Sequence, residues 1–463
     1  MIRLFRVSIP GNVLVLMCGD FLLVLLCYLI PAQWTQELPL DLYLWDDNGA
    51  LAIGLVVLVM VVGLYLSDLY SNLRKQSTLL LLQQLCVILG VELLLQSVLS
   101  YLRSPLVLPR WLMLYAGIGM IVVLPIWRRV FTNVVINRLG ATRVLFLGNS
   151  PVTLEVVKEL LERPELGLHP VGYLETNPVA ELDHLGIPRC GAPEQIKKVV
   201  AEQRPERVIV ATPGMLPHFP LESLLDLQFS GMPIERVSAT YERIFGRIST
   251  QSLQVAEVVF SPEMHPLPWK VLLQNLYSTF LAIMGLLLLW PLMIVVAVLV
   301  RLSSPGPALF RQTRVGRNKV PFTLYKFRSM YIDAEARTGA VWASENDPRI
   351  TPLGAILRKL RLDELPQFFN VIRGDMSLVG PRPERPEFVD SLERQIPFFR
   401  QRMYVKPGIT GWAQINHKYG DTLEDTVTKL EYDLYYIKHL APSLDLYIIF
   451  HTIKVMLLSR GAQ

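Results

Sequence analysis

Five long apolar runs limit what this chain can fold into. Four open it, roughly Val13 to Ile30, Leu51 to Leu66, Leu79 to Leu99 and Trp111 to Trp127, and a fifth covers Leu276 to Val300. Each of the first four is near the length that crosses a bilayer as a helix. A mean hydropathy of +0.36 over 463 residues is too apolar for an ordinary soluble enzyme and too polar for spans alone, so part of the chain is a soluble domain. Charge orients the first four runs. Arg3 and Arg6 precede the first, Arg74 and Lys75 separate the second from the third, and Arg128, Arg129, Arg138 and Arg143 follow the fourth. The loop after the first run carries Glu37, Asp41, Asp46 and Asp47 and no Lys or Arg, which puts both ends of the unit in the cytoplasm, with Arg103 and Arg110 as minor dissent.

The net charge of +5 sits largely beside apolar stretches, as expected of a chain that meets anionic headgroups, and argues against nucleic acid as the partner. Cys18, Cys27, Cys86 and Cys190 have no paired spacing, so neither a disulfide framework nor a zinc site is expected. No small-residue cleavage pattern follows the first run, which therefore reads as a retained span. Asp20 and Glu92 fall inside spans, where an interhelical hydrogen bond or a place near the interface is expected.

From Thr142 to about Phe260 short β-rich runs alternate with helical ones. Arg143 to Ser150 reads as a strand ending in a turn, Leu154 to Arg163 as a helix and Arg207 to Thr212 as a buried strand, the pattern of a doubly wound α/β domain. Gly148 stands alone where a dinucleotide fingerprint needs several glycines, so a regulatory or assembly role is expected of this domain.

The fifth run is 25 residues long and would extend about 37 Å as a helix, enough to cross. Yet Arg301, Arg311, Arg314, Arg317, Lys319, Lys326 and Arg328 follow it with no acid before Met330, a flank that belongs in the cytoplasm. Both sides are cytoplasmic if the helix turns back, and Pro291 sits mid-run where a helix kinks. A re-entrant hairpin is therefore expected, the alternative being a straight span with an extracytoplasmic C-terminal domain.

Further on, Asp363 and Glu364 stand among Arg358, Arg361, Arg373 and Arg382. Neighbouring carboxylates hold Mg²⁺ or supply a nucleophile, and guanidinium groups match the oxygens of a diphosphate; the alternative is a solvated charged helix start. Adjacent residues on a helix point about 100° apart, so the pair shares a metal only near a helix end, and Pro366 offers an irregularity there.

The motifs SSPGPALFRQTRVGR (303–317), KFRSM (326–330), DELPQ (363–367), GDMSLVGPRP (374–383) and KPGITGWAQIN (406–416) resemble, in order, the bacterial sugar transferase family of monotopic polyprenyl-phosphate phosphoglycosyl transferases. The four spans and the α/β domain resemble its long form, as in undecaprenyl-phosphate glucose or galactose phosphotransferases of exopolysaccharide pathways. The resemblance implies a membrane α plus α/β chain: four transmembrane helices over 1–130, a Rossmann-like domain over 131–262, an interfacial segment with a re-entrant helix over 263–302, and a small α/β catalytic domain over 303–463 on the cytoplasmic face of the bacterial inner membrane. It implies transfer of a sugar 1-phosphate from a UDP-sugar, glucose ahead of galactose or an N-acetylated sugar, to undecaprenyl phosphate with release of UMP. Asp363 matches the nucleophile that forms an aspartyl phosphosugar, Glu364 its partner in holding Mg²⁺, and Arg358 and Arg382 arginines that contact phosphate.

Lys326 and Arg328 share one face of a strand-like run and meet either nucleotide phosphates or lipid headgroups. Asp375 serves either the metal site or the turn after Gly374, and His417, His439 and His451 lack ligand spacing and read as structural. Leu444 to Leu458 reads as an interfacial helix or as one packed on the catalytic domain. A membrane nucleotide-sugar dehydratase or epimerase would need a glycine-rich fingerprint and a Tyr-x-x-x-Lys pair, both missing here, and against a silent scaffold stand the intact Asp-Glu pair and both motif arginines. The spans and the α/β domain offer surfaces for a homodimer.

Overall fold

Apolar sequence in lipid must satisfy its own backbone, and the four opening runs do so as helices α1 (Gly11–Thr35), α2 (Gly49–Leu66), α3 (Thr78–Leu102) and α4 (Arg110–Phe131). The computed structural model describes residues 2–4, 7–36, 38–46, 48–67, 69–70, 78–102, 106–136, 141–211, 219–332, 334, 347–417 and 422–457. Arg6, Glu37, Asp47, Arg74, Lys75, Arg103 and Arg138, on which part of the orientation argument rests, lie outside these, as do Thr212 and Leu458 at the ends of two expected elements. All four helices contribute to one apolar core, among them Val24, Met60, Leu85 and Met120.

The two acids within the spans are tied between helices. Tyr28 donates its hydroxyl to Glu92 Oε1 at 2.6 Å, and Arg128 donates to Asp20 Oδ2 at 2.5 Å and to the Leu69 carbonyl at 2.8 Å. Each is the interhelical bond expected of a polar side chain that cannot reach water.

Strands β1 (Thr142–Leu147), β2 (Leu168–Leu174), β3 (Arg189–Gly191), β4 (Arg207–Val210) and β5 (Ile234–Arg236) form one sheet in the order β3-β2-β1-β4-β5. All its pairings are parallel, and the order is that of a doubly wound fold. The chain leaves β1 through Gly148, whose φ of 83° lies in the left-handed region open to glycine. Ser150 then caps α5 (Pro151–Glu162), its Oγ accepting the Thr153 N–H at 3.1 Å, with Pro151 in the first turn.

Contacts divide the chain into two units, the second made of Leu4–Val7 and Ser238–Gln463. Residues 238–262, assigned with the α/β domain from the sequence, pack instead on the C-terminal segment: Thr250 N–H donates to Glu431 at 2.8 Å and Trp412 Nε1 to the Gly246 carbonyl at 2.7 Å. The alternation of short elements that set the earlier boundary carries no signal of which neighbour a segment will pack on.

The fifth run is one helix, α6 (Pro268–Ser303), which continues through Pro291 where the sequence suggested a turning back. Proline removes one backbone bond, and packing on both sides of it holds the helix together. Ala282 ahead of Pro291 joins a core with Leu324 and Val371, and Met293, Val296 and Val300 beyond it join one with Phe327 and Leu357. The other faces carry exposed Leu276, Phe280, Leu287, Leu288 and Trp290.

The remainder of this unit holds an antiparallel hairpin, β6 (Leu309–Val315) and β7 (Pro321–Phe327), then α7 (Pro352–Lys359) and α8 (Gln367–Arg373), and a parallel pair, β8 (Ser377–Val379) and β9 (Gly408–Thr410). Two helices complete it, α9 (Leu423–Lys438) and α10 (Pro442–Leu457). Leu444 and Ile448 of α10 enter the core with Leu430 and Leu434, while Leu446, Phe450 and Ile453 are exposed, so the packed and the interfacial readings each describe one face.

Breaking the ion pair inside the membrane unit should be costly because it strands a buried carboxylate. Arg128→Met is expected to destabilise by about 3–5 kcal/mol, and adding Asp20→Leu should restore most of the loss. Thermal unfolding in nanodiscs checks both; equal losses in the single and double variants would contradict it.

Candidate active site

Thr351 caps α7, accepting the Gly354 N–H at 2.9 Å, and the helix ends just before Arg361, whose φ of 52° turns the chain left-handed. A 3₁₀ turn over Leu362–Glu364 follows, then Pro366 and α8. Asp363 and Glu364 therefore occupy a tight turn between two helices, the irregularity that Pro366 suggested.

Both carboxylates are buried, each residue 7% exposed, and their surroundings differ. Glu364 Oε1 accepts from Arg382 Nη2 at 2.9 Å and from Lys326 Nζ at 3.2 Å, and Arg361 Nη1 lies 3.7 Å from Oε2. Burial alone would raise the Glu364 pKa, but Arg382, Lys326 and Arg361 outweigh it and hold the carboxyl well below the usual range. The Asp363 carboxylate makes no hydrogen bond with a described residue. Burial and the charge of Glu364 push its pKa up, against the pull of Lys326, Arg358 and Arg382. Burial likewise depresses the Lys326 ammonium, with Arg382 adding to the effect and Glu364 opposing it.

Of the six residues marked from sequence, the structure gathers Asp363, Glu364, Lys326 and Arg382, with Arg358 close enough to act on Asp363 while its Nε donates to Ser329 at 3.0 Å. Arg328 serves elsewhere. Its guanidinium donates to the carbonyls of Pro305 and Ser304 at 2.7 Å and of Val300 at 3.3 Å, so it closes the C-terminus of α6, where free carbonyls and the helix dipole both favour a cation. Asp375 accepts from Asn370 Nδ2 at 3.3 Å beside Gly374, the turn role. His417 and His439 pair with Asp425 and Glu242, and His451 stacks on Tyr447, all structural contacts. Arg361, named from sequence only as one of four nearby arginines, received no role of its own, though its place three residues before Glu364 was a usable signal.

Arg382 is aimed by the backbone around it. Gly380 N–H donates to Thr410 and Gly408 N–H to Pro381, at 2.9 and 3.0 Å, in an approach so close that a Cβ on Gly408 would lie 2.1 Å from the Gly380 nitrogen. The Arg382 carbonyl accepts from Arg402 Nη2 at 2.9 Å, and Arg402 is itself paired with Asp433 at 2.9 Å. Ahead of this turn, Gln274 of α6 donates to the Val379 carbonyl at 3.3 Å, and the Tyr436 hydroxyl of α9 lies 3.2 Å from the same oxygen. The same two groups reach Asp445, at 2.8 and 2.9 Å, and Tyr277 donates to it as well. Nothing local in the sequence announces this latch, whose members lie up to 171 positions apart.

Burial with only neutral donors raises the Asp445 pKa to about 6. The folded state then holds its proton more tightly than the unfolded chain, so Asp445 contributes stability at low pH that is lost as pH rises through about 6. Asp445→Asn should gain about 1 kcal/mol on the wild type between pH 5 and 7.5. Paired unfolding curves at the two pH values test this, and a constant difference between the proteins would refute it.

The chain matches the family described as bacterial sugar transferase over residues 269–459, and a CoA-binding domain family over 61–215. It is 36% identical over 318 residues to a UDP-glucose:undecaprenyl-phosphate glucose-1-phosphate transferase of Xanthomonas campestris pv. campestris, covering 66% of this chain and 65% of the relative. A UDP-N-acetylgalactosamine-undecaprenyl-phosphate N-acetylgalactosaminephosphotransferase of Aeromonas hydrophila is 43% identical over 232 residues, 50% of this chain and 54% of the relative. The exopolysaccharide production protein PSS of Rhizobium leguminosarum bv. phaseoli is 40% identical over 196 residues, 41% of this chain and 98% of the relative. The chain thus spans about half to two thirds of the first two relatives and nearly all of the third. With the paired carboxylates and their ring of cations falling inside the matched segment, the chain belongs to the bacterial sugar transferase family.

Proposed function

We propose that this protein transfers a sugar 1-phosphate from a UDP-sugar to undecaprenyl phosphate, releasing UMP, with Asp363 as the nucleophile. The observation that carries the reading is the buried Asp363 carboxylate, unpaired among described residues, beside a Glu364 ringed by Lys326, Arg361 and Arg382. With Arg358, four cations face two carboxylates, and the surplus positive charge suits a diphosphate.

In the first step an Asp363 oxygen bonds to the sugar-bearing phosphorus while the bond from that phosphorus to the bridging oxygen breaks, and the oxygen leaves with UMP, taking the electron pair. An oxygen of the lipid phosphate then bonds to the same phosphorus and Asp363 departs as carboxylate. No proton leaves the nucleophile, so none of the neighbours need act as base. Arg382, Arg358 and Lys326 offset charge on the phosphoryl oxygens, and Glu364 fixes Arg382 and Lys326 in place.

Mg²⁺ fits as a cofactor held by Asp363 and Glu364 alone. Among the described residues no group of three or more His, Cys, Asp or Glu side chains could hold a metal, and Mg²⁺ commonly takes one or two carboxylates with substrate phosphates completing its shell. When bound it supplies further neutralisation of phosphoryl oxygens.

Both halves of α6 pack on the one domain that holds the dyad, and its exposed faces are apolar. This supports a helix seated in one leaflet with the catalytic unit on the cytoplasmic face of the inner membrane, as the basic flank requires. The relatives' names divide among glucose, N-acetylgalactosamine and galactose; glucose is the first choice because the relative named for it aligns over 66% of this chain.

Purified protein with Mg²⁺ and a panel of UDP-sugars, with and without undecaprenyl phosphate, tests the proposal through UMP release. Lipid-dependent UMP from one donor is expected, with Asp363→Asn at least about 10³-fold slower yet normally inserted. Substantial transfer by that variant would remove Asp363 from its role, and no UMP from any donor would favour a scaffold.

A further inference from the structure

Lys326, Arg358 and Arg382 stand beside the dyad, and an opening that none of them lines leads to it. A cavity of about 220 Å³ reaches Glu364 and Arg361 between walls formed by Leu289 of α6, Phe368 of α8, Ile409 of β9, Ile415 and Met456 of α10. Lys326, Arg358 and Arg382 do not line it. Its surface is mostly hydrocarbon, with Arg361, Glu364, Thr410, Gln414 and Thr452 as its polar members.

A nucleotide sugar gains little from walls that are mostly apolar, since its many polar groups outnumber the partners there and would lose water. An amphiphile matches them: an anionic head beside Arg361 and a hydrocarbon chain against the leucine, phenylalanine, isoleucine and methionine side chains. Leu289 also links the cavity to lipid. It belongs to a helix long and apolar enough to cross a membrane, and its neighbours Leu287, Leu288 and Trp290 are 64%, 77% and 54% exposed. A chain resting on that outer surface can pass along Leu289 into the cavity without entering water. The volume lies below the roughly 300–1,000 Å³ of pockets that enclose a drug-sized ligand, so only the part of a long chain next to its head fits, and the rest stays in the bilayer. Gln414, also in the wall, has a buried Oε1 with no hydrogen-bond partner, so the protein leaves a polar atom there for a ligand or water to meet.

We infer that this cavity is the acceptor's entrance: it places the phosphate of a long-chain prenyl phosphate beside Arg361 and the head-proximal part of its chain between Leu289, Ile415 and Met456. The inference rests on the transferase reading and adds to it that the two substrates approach the dyad by separate routes, the donor by way of Lys326, Arg358 and Arg382 and the acceptor from the lipid side.

Ile415→Trp and Met456→Trp, made separately in the full-length protein, would fill the cavity. Two rates separate the routes: exchange of labelled UMP into UDP-sugar without lipid, which needs only the donor step, and turnover with undecaprenyl phosphate. The expected result is exchange within about twofold of wild type with the apparent KM for the lipid raised about tenfold or more. An unchanged lipid KM, or exchange lost in parallel with turnover, would overturn the inference. A second measurement avoids variants: wild-type protein in nanodiscs is irradiated with a short-chain prenyl phosphate carrying a diazirine near its head, and the labelled peptides are sequenced. Labels in peptides containing Leu289, Ile415 or Met456 support the cavity, and labels confined elsewhere overturn it. If wild type neither exchanges UMP nor turns over, the transferase reading is what fails, and the labelling still decides whether the cavity takes a prenyl phosphate.

Discussion

Glu364 is the carboxylate on which the catalytic unit is organised. A buried anion is tolerated only when paired, and three cations from separate stretches of chain meet this one: Lys326 from β7, Arg361 from the turn itself and Arg382 from the loop after β8. Those pairs bring the hairpin, the helix–turn–helix and the Gly380–Pro383 loop to one point. Asp363, next in sequence, shares the burial without sharing the partners. Two adjacent carboxylates are thereby driven apart in proton affinity, one firmly ionised and one held less so, the division of labour that environment imposes on paired acids elsewhere.

The membrane helix is part of the same construction. Through Gln274 it reaches the Val379 carbonyl and Asp445, through Ser278 it reaches Ser377 at 2.9 Å, and its C-terminal carbonyls are closed by Arg328. A helix anchored at both ends to the strands that carry Lys326 and lead to Arg382 ties the dyad to a long apolar segment. That arrangement suits the proposed chemistry between a water-soluble donor and a lipid acceptor.

Much of this was legible in the sequence, for physical reasons that differ by element. The four spans and the parallel strand Val144–Leu147 announce themselves by unbroken apolar runs, since burial on all sides leaves no polar positions. The dyad and Arg382 were visible because their chemistry is local: adjacent carboxylates and an arginine between prolines. Arg328 was read as a candidate phosphate ligand because a strand pattern gives the face of a side chain and not its partner, and here the partner was the end of a helix 24 residues earlier. Asp445, Gln274 and the allegiance of residues 238–262 were not legible at all, since contacts across 171 or 181 positions leave no periodicity to detect.

Asp363 is proposed to carry the sugar phosphate between donor and acceptor, and the adduct can be sought on that residue. Protein incubated with its UDP-sugar and Mg²⁺ but no lipid, quenched in acid and digested, should yield a peptide spanning residues 359–373 heavier by one phosphosugar, with fragmentation placing the mass on Asp363 and addition of undecaprenyl phosphate before the quench removing it. An adduct on Glu364, or lipid-dependent UMP release with no adduct at any time point, would contradict the account.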